Sequence, residues 1–215
     1  MSEPPADATP RPTRRDRFEA RLMRRSGDLE PAAVIAWKRR VLGDLASPVV
    51  EIGPGAGANM PYYPAGTAVI GIEPNVAMHE PLRRAAADAG VDLEVRTRSA
   101  EAIDLGDDAV PSVVGTLVLC GVGDPDAAVA EVRRILAPGG QYVFYEHVRA
   151  PEGTATRWGQ RLLRGVHTYV FNGCQVDRDL GAVVHRVFDD VTCDPIDTGW
   201  QNVHTRTRIH GIARG

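Results

Sequence analysis

Two periodicities of apolar residues alternate along most of the chain. Short apolar runs predict buried strands, and apolar residues three or four positions apart predict the helices between them. This alternation predicts a doubly wound α/β fold with a mostly parallel, seven-stranded sheet and right-handed crossovers. The predicted strands are Pro48–Ile52, Ala68–Glu73, Val91–Thr97, Val113–Cys120, Gln141–His147, Val191–Asp197 and Arg206–Ala213. The predicted crossover helices are Val76–Ala89 and Pro125–Leu136, the second capped by Asp124.

Two regions depart from this regular alternation. Residues 1–15 are polar and rich in proline, which predicts a disordered tail, and residues 16–47 show helical spacing broken near Ser26-Gly27. After the fifth strand, an amphipathic pattern predicts an inserted helix at about 153–171, and a further helix is predicted over Asp177–Val187. We therefore expect a single domain over residues 16–215, with N-terminal helices and an inserted helix that caps the substrate site.

The composition of the chain argues against several classes of function. The chain has 215 residues and a net charge of -3, so it lacks the basic field that attracts nucleic acid or anionic lipid. Its three cysteines are widely spaced and include no C-x-x-C pair, which argues against a disulfide framework and against a zinc site. It shows neither the apolar core of a signal peptide nor an apolar stretch of membrane-spanning length. We expect a cytoplasmic protein with no metal, nucleic acid or membrane partner; its oligomeric state is not predicted.

A glycine-rich turn follows the first predicted strand, in the segment EIGPGAG at residues 51–57. Glycines there let the backbone take positive φ angles and let a ligand approach closely, with free N–H groups facing it. Gly53, Gly55 and Ala58 also satisfy a loose dinucleotide-binding pattern. The acid two residues before the first glycine, Glu51, favours a cationic ligand such as S-adenosylmethionine, while a nicotinamide cofactor is the alternative.

A second acid lies at the end of the second predicted strand, in the segment GIEPN at residues 71–75. Glu73 has the position at which a ribose-binding acid follows a glycine turn. The alternative is that its charge stabilises the start of the next helix. Its place beside the glycine turn favours the ribose role.

These features together resemble the class I S-adenosylmethionine-dependent methyltransferases. The resemblance is carried by EIGPGAG, Glu73, Ser99-Ala100-Glu101 after the third strand, and LAPGG at residues 136–140. It implies S-adenosylmethionine as cofactor, S-adenosylhomocysteine as product and the Rossmann-like methyltransferase fold. The cofactor-binding residues that it implies are Glu51, Gly53, Gly55 and Gly57 at the methionine end, Glu73 at the ribose, Ala100 and Glu101 at the adenine, Leu119 and Cys120 beside the methionine, and Pro74, Asn75 and Ser99 nearby.

A narrower resemblance extends almost to the end of the chain. The segments TLVLC at 116–120, YEHV at 145–148, NGC at 172–174, Arg178-Asp179 and HGIA at 210–213 resemble a subgroup of small-molecule methyltransferases. That subgroup includes the animal membrane-anchored alkyl-thiol methyltransferases and soluble bacterial relatives. It implies a small-molecule acceptor, with thiol favoured over hydroxyl or amine. The apolar anchor of the animal members is absent here, and Pro111-Ser112 stands where the fourth strand usually opens with an aspartate.

The catalytic and substrate-binding candidates surround the predicted ends of the strands. His147 is placed to orient or deprotonate the acceptor. The alternative is that Glu146 or His147 fixes the loop that leads into the inserted helix by hydrogen bonding. Arg178 is a candidate to stabilise a thiolate near Cys174, or to pair with a neighbouring aspartate. Cys174 itself is predicted to bind substrate or to pack as a small apolar residue. Trp158 and Tyr169 are predicted to cover an apolar substrate, or to belong to the core.

Three functions fit these features. The first is methyl transfer from S-adenosylmethionine to a small-molecule acceptor, with a thiol first. The second is a methyltransferase-like fold that catalyses another thiol reaction, such as oxidation of a dithiol. The third is a module that binds the methyl donor without catalysis. A fold alone does not choose among them, because function depends on the site.

Overall fold

A computed structural model describes residues 12–18, 30–171, 173–197 and 204–215. Three of the predicted features extend outside this described part: residues 1–11 of the tail, residues 19–29 of the N-terminal helices, and Asn172 of the NGC segment. Residues 14–18 are helical. The longer helices are α1 (Ala32–Gly43), α2 (Val76–Ala89), α3 (Pro125–Ile135), α4 (Ala155–Val170) and α5 (Leu180–Val187). The strands are β1 (Val49–Ile52), β2 (Ala68–Ile72), β3 (Asp92–Arg96), β4 (Val110–Thr116), β5 (Leu136–His147), β6 (Asp190–Asp197) and β7 (Thr207–Arg214).

The strands form one seven-stranded sheet in the order β3-β2-β1-β4-β5-β7-β6. Strands β1 to β5 are parallel to one another, and β7 pairs antiparallel with both β5 and β6. The predicted doubly wound, mostly parallel sheet is therefore confirmed. None of the helices in the described residues is both long enough and apolar enough to cross a membrane.

Helices cover both faces of the sheet, which explains why its central strands are apolar on both sides. One apolar core contains Val34 and Leu42 of α1 and Leu82 of α2, packed with Val49 of β1. The other core contains side chains of α3 and α5 packed with the next residue of β1, Val50. Successive residues of β1 thus point into different cores, as the pleat of a strand requires.

The largest difference from the predicted elements is at the fourth strand. It was expected to cover Val113–Cys120, but β4 begins at Val110 and ends at Thr116. Leu117 has φ of 56°, a left-handed conformation that takes the chain out of the strand. The register of β4 against β5 also shifts between Val110 and Ser112, where Pro111 has no N–H group to donate. The apolar residues 117–120 therefore form a loop, in which Leu119 and Cys120 are buried and the two residues before them are half-buried.

The remaining boundaries differ by a few residues. The helix expected over Asp177–Val187 begins at Leu180, because Asp179 caps it by accepting a hydrogen bond from the backbone N–H of Ala182 at 3.2 Å. The inserted helix expected at about 153–171 is α4, capped by Thr154. Strand β5 begins five residues earlier than Gln141 and includes the LAPGG segment.

Candidate active site

The candidate residues converge on the edge of the sheet where the parallel strands end. The glycine turn follows β1, Glu73 follows β2, the loop 117–120 follows β4, and His147 is the last residue of β5. Open α/β sheets bind ligands at this carboxyl edge. The topology therefore brings together residues that are up to about a hundred positions apart in the chain.

The glycines of the turn have two different physical roles. Gly53, Gly55 and Gly57 all have positive φ angles, of 60°, 57° and 90°. A Cβ on Gly53 would lie 2.4 Å from Cγ2 of Val118, and one on Gly57 would lie 2.7 Å from Cβ of Ala85. A Cβ on Gly55 would meet no heavy atom within 4 Å. Gly53 and Gly57 are thus required for packing, whereas Gly55 borders open space.

Glu73 lies against this open space and is only 6% exposed. Its Oε2 accepts a hydrogen bond from the backbone N–H of Gly55 at 2.9 Å, and its Oε1 accepts one from Asn75 at 2.8 Å. Asn75 in turn caps α2, its Oδ1 accepting from Ala77 at 3.0 Å. Glu73 therefore ties the glycine turn to the start of α2. Carboxylate oxygens have further lone pairs, so this role is compatible with ribose binding.

Glu51 is buried beneath the turn rather than exposed to it. Its Oε1 accepts a hydrogen bond from Nδ2 of Asn59 at 2.8 Å, and its Oε2 accepts one from the hydroxyl of Tyr63 at 2.7 Å. Burial raises the pKa of the Glu51 carboxyl, against the lowering effect of these two hydrogen bonds. Asn59 also donates to Oγ1 of Thr116 at 2.9 Å, which connects the ends of β1 and β4. The binding of a cationic ligand by Glu51 stays a prediction.

The predicted adenine-binding segment lies next to the loop that precedes α3. Ala100 is buried, and Oε1 of Glu101 accepts hydrogen bonds from the backbone N–H groups of Gly123 at 2.9 Å and Asp124 at 3.2 Å. The hydroxyl of Ser99 donates to Oε2 of Glu101. Glu101 thus positions the loop that adjoins this segment. Adenine binding here stays a prediction.

The buried carboxylate of Glu146 holds the loop after β4. Its Oε1 accepts from the backbone N–H groups of Val118 at 3.0 Å and Leu119 at 2.8 Å, and its Oε2 accepts from Cys120 at 3.3 Å. Burial raises the pKa of Glu146 to about 8, although these three donors favour the charged form. Since Val118 lies against Gly53, Glu146 indirectly fixes one wall of the glycine turn.

Two cysteines and a histidine meet next to this loop, and we call Cys120, His147 and Cys174 the Cys–His cluster. The two sulfurs are 3.2 Å apart, and Nδ1 of His147 lies 3.8 Å from Sγ of Cys120 and 3.9 Å from Sγ of Cys174. All three side chains are at least nine-tenths buried. Nε2 of His147 is buried and has no hydrogen-bond partner among the described residues.

The cluster contains one polarised thiol. The hydrogen bond between the two sulfurs is the largest cause that lowers the pKa of Cys174 below its ordinary value, and the rings of His147 and His167 lower it further. The same sulfur contact, together with burial, raises the pKa of Cys120. Burial lowers the pKa of His147, which favours the neutral form of its ring.

Backbone hydrogen bonds fix the two cysteines relative to each other. The N–H of Gln175 donates to the carbonyl of Cys120 at 2.7 Å, and the N–H of Cys174 donates to Phe171 at 3.0 Å. The guanidinium of Arg178 donates to the carbonyls of Leu119 at 2.9 Å and Val122 at 2.7 Å. The Arg178 side chain thus holds the loop by binding the loop's backbone carbonyls. Its predicted role of stabilising a thiolate stays a prediction.

Helix α4 is held to the site by Gln160, which is fully buried. Its Oε1 accepts from the N–H of Ala150 at 3.0 Å, and its Nε2 donates to the carbonyls of Val148 at 3.0 Å and Val176 at 2.8 Å. Gln160, rather than Glu146 or His147, therefore fixes the loop that leads into α4. Trp158 and Tyr169 are 68% and 79% exposed, so neither ring lines an enclosed cavity formed by the described residues. Their contact with a substrate stays a prediction.

The sequence reasoning missed three polar residues and the proximity of two cysteines. It assigned no role to Asn59, Tyr63 or Gln160, whose polar side chains stand in otherwise unremarkable segments. It considered the Cys120 and Cys174 thiols separately, since 54 positions divide them. The expectation that the chain holds no metal site rested on this spacing; in the described residues the ligand atoms of Cys120, His147 and Cys174 lie within 4.8 Å of one another.

Comparisons with known proteins identify the family of this chain. Residues 50–144 match the family model described as a methyltransferase domain. The human thiol S-methyltransferase TMT1A is 32% identical over 171 residues, covering 77% of this chain and 69% of that protein. The rat thiol S-methyltransferase TMT1B is 33% identical over 134 residues, covering 61% of this chain and 55% of that protein. The match thus spans only about half of the rat relative.

Solved structures support the fold. A S-adenosylmethionine-dependent methyltransferase from Thermotoga maritima superimposes with a TM-score of 0.65 at 18% identity, over 93% of this chain and 97% of that one. The sheet order, the glycine turn followed by Glu73 and the sequence relatives define one class of protein. The chain belongs to the class I S-adenosylmethionine-dependent methyltransferases. Within that class it resembles the animal thiol S-methyltransferases.

Proposed function

We propose that this protein transfers the methyl group of S-adenosylmethionine to the sulfur of a small-molecule thiol. The observation that carries the donor half is the open space at Gly55, bordered by the buried carboxylate of Glu73. Support for a thiol acceptor comes from the relatives that are named thiol S-methyltransferases. We further propose a cytoplasmic protein whose partner is this small molecule, and neither nucleic acid nor a membrane.

The residues at the carboxyl edge of the sheet fit the donor. Gly55 leaves room for the ligand, because no heavy atom lies within 4 Å of the position of a Cβ. Glu73 supplies acceptor oxygens for the two ribose hydroxyls, and the buried Ala100 supplies an apolar surface for the adenine. When bound, S-adenosylmethionine supplies a methyl group on a positively charged sulfur, which is open to direct attack by a nucleophile.

The protein's part in such a reaction is to position the acceptor, exclude water and accept a proton if one must leave. The apolar loop 117–120 forms a wall at the strand edge and is held by Glu146. We propose that the ring of His147, buried at the end of β5, helps to orient the acceptor at this edge. A thiol has a pKa of about 8.5 in water, so modest local polarisation suffices to ionise it at neutral pH.

Calorimetric titration with S-adenosylmethionine, S-adenosylhomocysteine and NADH tests the donor half. We expect dissociation constants of about 1–100 μM for the two sulfur ligands and no heat from NADH. An assay of S-adenosylhomocysteine formation with matched alkyl thiol, phenol and amine acceptors tests whether a thiol is the preferred acceptor. Binding without turnover on any acceptor would favour the donor-binding module. Oxidation of a dithiol without S-adenosylhomocysteine formation would favour the other thiol reaction.

Replacing Glu73 by alanine is expected to weaken binding of S-adenosylhomocysteine by about 1–3 kcal/mol, or roughly 5- to 150-fold, through lost hydrogen bonds to a charged acceptor. Because Glu73 also holds the turn, the ribose role needs a separate readout. The 2′-deoxy analogue of S-adenosylhomocysteine should bind the wild-type protein more weakly than S-adenosylhomocysteine does. In Glu73→Ala the two ligands should bind with equal affinity. Equal penalties for the analogue in both proteins would remove Glu73 from ribose binding.

A further inference from the structure

The geometry of the Cys–His cluster matches the coordination distances of zinc. Its three ligand atoms form a triangle with sides of 3.2, 3.8 and 3.9 Å. The centre of this triangle lies roughly 2.1 Å from each atom, near the Zn–S distance of about 2.3 Å and the Zn–N distance of about 2.0–2.1 Å. Opening the cluster by a few tenths of an ångström accommodates the ion.

The donor set points to the same ion. Two thiolates and one imidazole are soft and borderline ligands, which suit zinc better than magnesium or calcium. The neutral form of His147 binds a metal through Nδ1, the nitrogen that faces both sulfurs, and then carries its proton on Nε2. Nε2 is buried and has no partner in the described part of the chain, so its hydrogen bond is left for a water molecule or a ligand.

The site is held in place by its surroundings. Glu146 fixes the backbone of Cys120, and the N–H of Gln175 binds the carbonyl of Cys120 at 2.7 Å, which couples both cysteine segments. His147 is the last residue of β5, so its backbone is fixed by the sheet. A site whose ligands are positioned before binding loses less conformational entropy on taking up the ion.

We propose that Cys120, His147 and Cys174 bind one zinc ion and leave its fourth coordination position open to the sulfur of the acceptor. Three protein ligands with one open position are the arrangement of catalytic zinc sites. On coordination, the acceptor thiol gives its proton to solvent and its sulfur binds the metal as a thiolate. That sulfur's electron pair then forms the new S–C bond, while the sulfonium's C–S bond breaks and leaves its pair on the donor sulfur. The acceptor step rests on the proposed function; metal binding does not.

Metal content tests the site. Purified full-length protein, loaded with zinc and dialysed, should retain about one zinc per chain by mass spectrometry of the metal. Cys120→Ser, His147→Ala and Cys174→Ser should each retain less than about a tenth of that amount. Cys193→Ser is the matched control, because Cys193 is a free cysteine on β6 outside the cluster, and it should retain the full amount. Equal zinc in all five proteins, or none in the wild type, would overturn the proposal.

Cobalt substitution tests the ligands without relying on a variant that folds. The cobalt-loaded wild-type protein should show a thiolate-to-cobalt charge-transfer band and the visible bands of a tetrahedral site. The charge-transfer intensity should fall by half in Cys174→Ser if that variant folds. A wild-type spectrum without thiolate bands would contradict the assignment. A disulfide between Cys120 and Cys174 in the freshly purified protein, with no zinc bound after reduction, would overturn it as well.

The fourth position is tested by adding an alkyl thiol to the cobalt-loaded protein. A new thiolate ligand should increase the charge-transfer intensity by about half, since two thiolates become three. An alcohol of the same chain length is the control and should leave the spectrum unchanged. An unchanged spectrum with the thiol would refute the open position, even if zinc is bound. Failure of the donor titration would instead count against the proposed function alone, because metal binding is measured without the donor.

Discussion

Replacing Gly55 by valine is expected to abolish donor binding, with a loss of about 100-fold or more in affinity for S-adenosylhomocysteine. The turn itself has room for a Cβ atom, because no heavy atom lies within 4 Å of its position. The valine would therefore occupy the space that we assign to the ligand. Calorimetric titration of the variant measures the effect directly.

Backbone strain is the competing explanation for such a loss. Gly55 has φ of 57°, a conformation that is costly for a β-branched residue. Gly66 offers a matched control: its φ is 80°, a Cβ there also meets no heavy atom within 4 Å, and it precedes β2 at the opposite edge of the sheet. Gly66→Val should lose stability comparably and keep full donor affinity. Normal binding by Gly55→Val would show that the ligand lies elsewhere.

The sheet and its helices could be predicted from the sequence because their signals are local. The helix Val76–Ala89 was predicted at its observed bounds, since Asn75 caps its start and Gly90, with φ of 70°, ends it. The end of β4 could not be predicted, because residues 117–120 are as apolar as the strand before them. Only the left-handed conformation of Leu117 separates the buried strand from the loop.

The candidate site was predictable to the extent that topology alone assembles it. The glycine turn and Glu73 follow adjacent parallel strands, so a sheet prediction brings them together. Cys120 lies after β4 and His147 ends β5, and these two strands are adjacent. Cys174 reaches them only through the path of α4 and the loop after it, which no local pattern specifies. The hydrogen bond between Gln175 and Cys120 is a tertiary contact of this kind.

Glu146 was considered from the sequence only as a residue that fixes the loop into α4. Its three backbone hydrogen bonds to the loop 118–120 give it a different role, one that connects the Cys–His cluster to the glycine turn. A deletion of its carboxylate should therefore disturb both parts of the site at once. Glu146 acts through the loop and is therefore a positioning residue.

Replacing Glu146 by alanine is expected to destabilise the protein by about 3–5 kcal/mol, because three buried N–H groups lose their acceptor. Urea unfolding monitored by circular dichroism measures this loss. The control is Glu80→Ala, since that side chain is 75% exposed and its pair with Arg84 contributes little. A loss below about 1 kcal/mol in Glu146→Ala would mean that water replaces the carboxylate at no large cost.

Glu146→Gln separates the hydrogen bonds from the charge. Burial raises the pKa of Glu146 to about 8 from an ordinary 4.5, so the folded protein binds this proton more tightly than the unfolded chain. Its contribution to stability is complete below pH 4.5 and is lost as the pH rises to about 8.

Glutamine keeps an acceptor oxygen for Val118 and Leu119 but does not titrate. The unfolding free energy of Glu146→Gln should therefore fall by about 2–4 kcal/mol less than that of the wild type between pH 5 and 8. Parallel pH profiles for the two proteins would show that the three N–H donors keep Glu146 charged throughout this range, and that the loop is held by an ionised carboxylate.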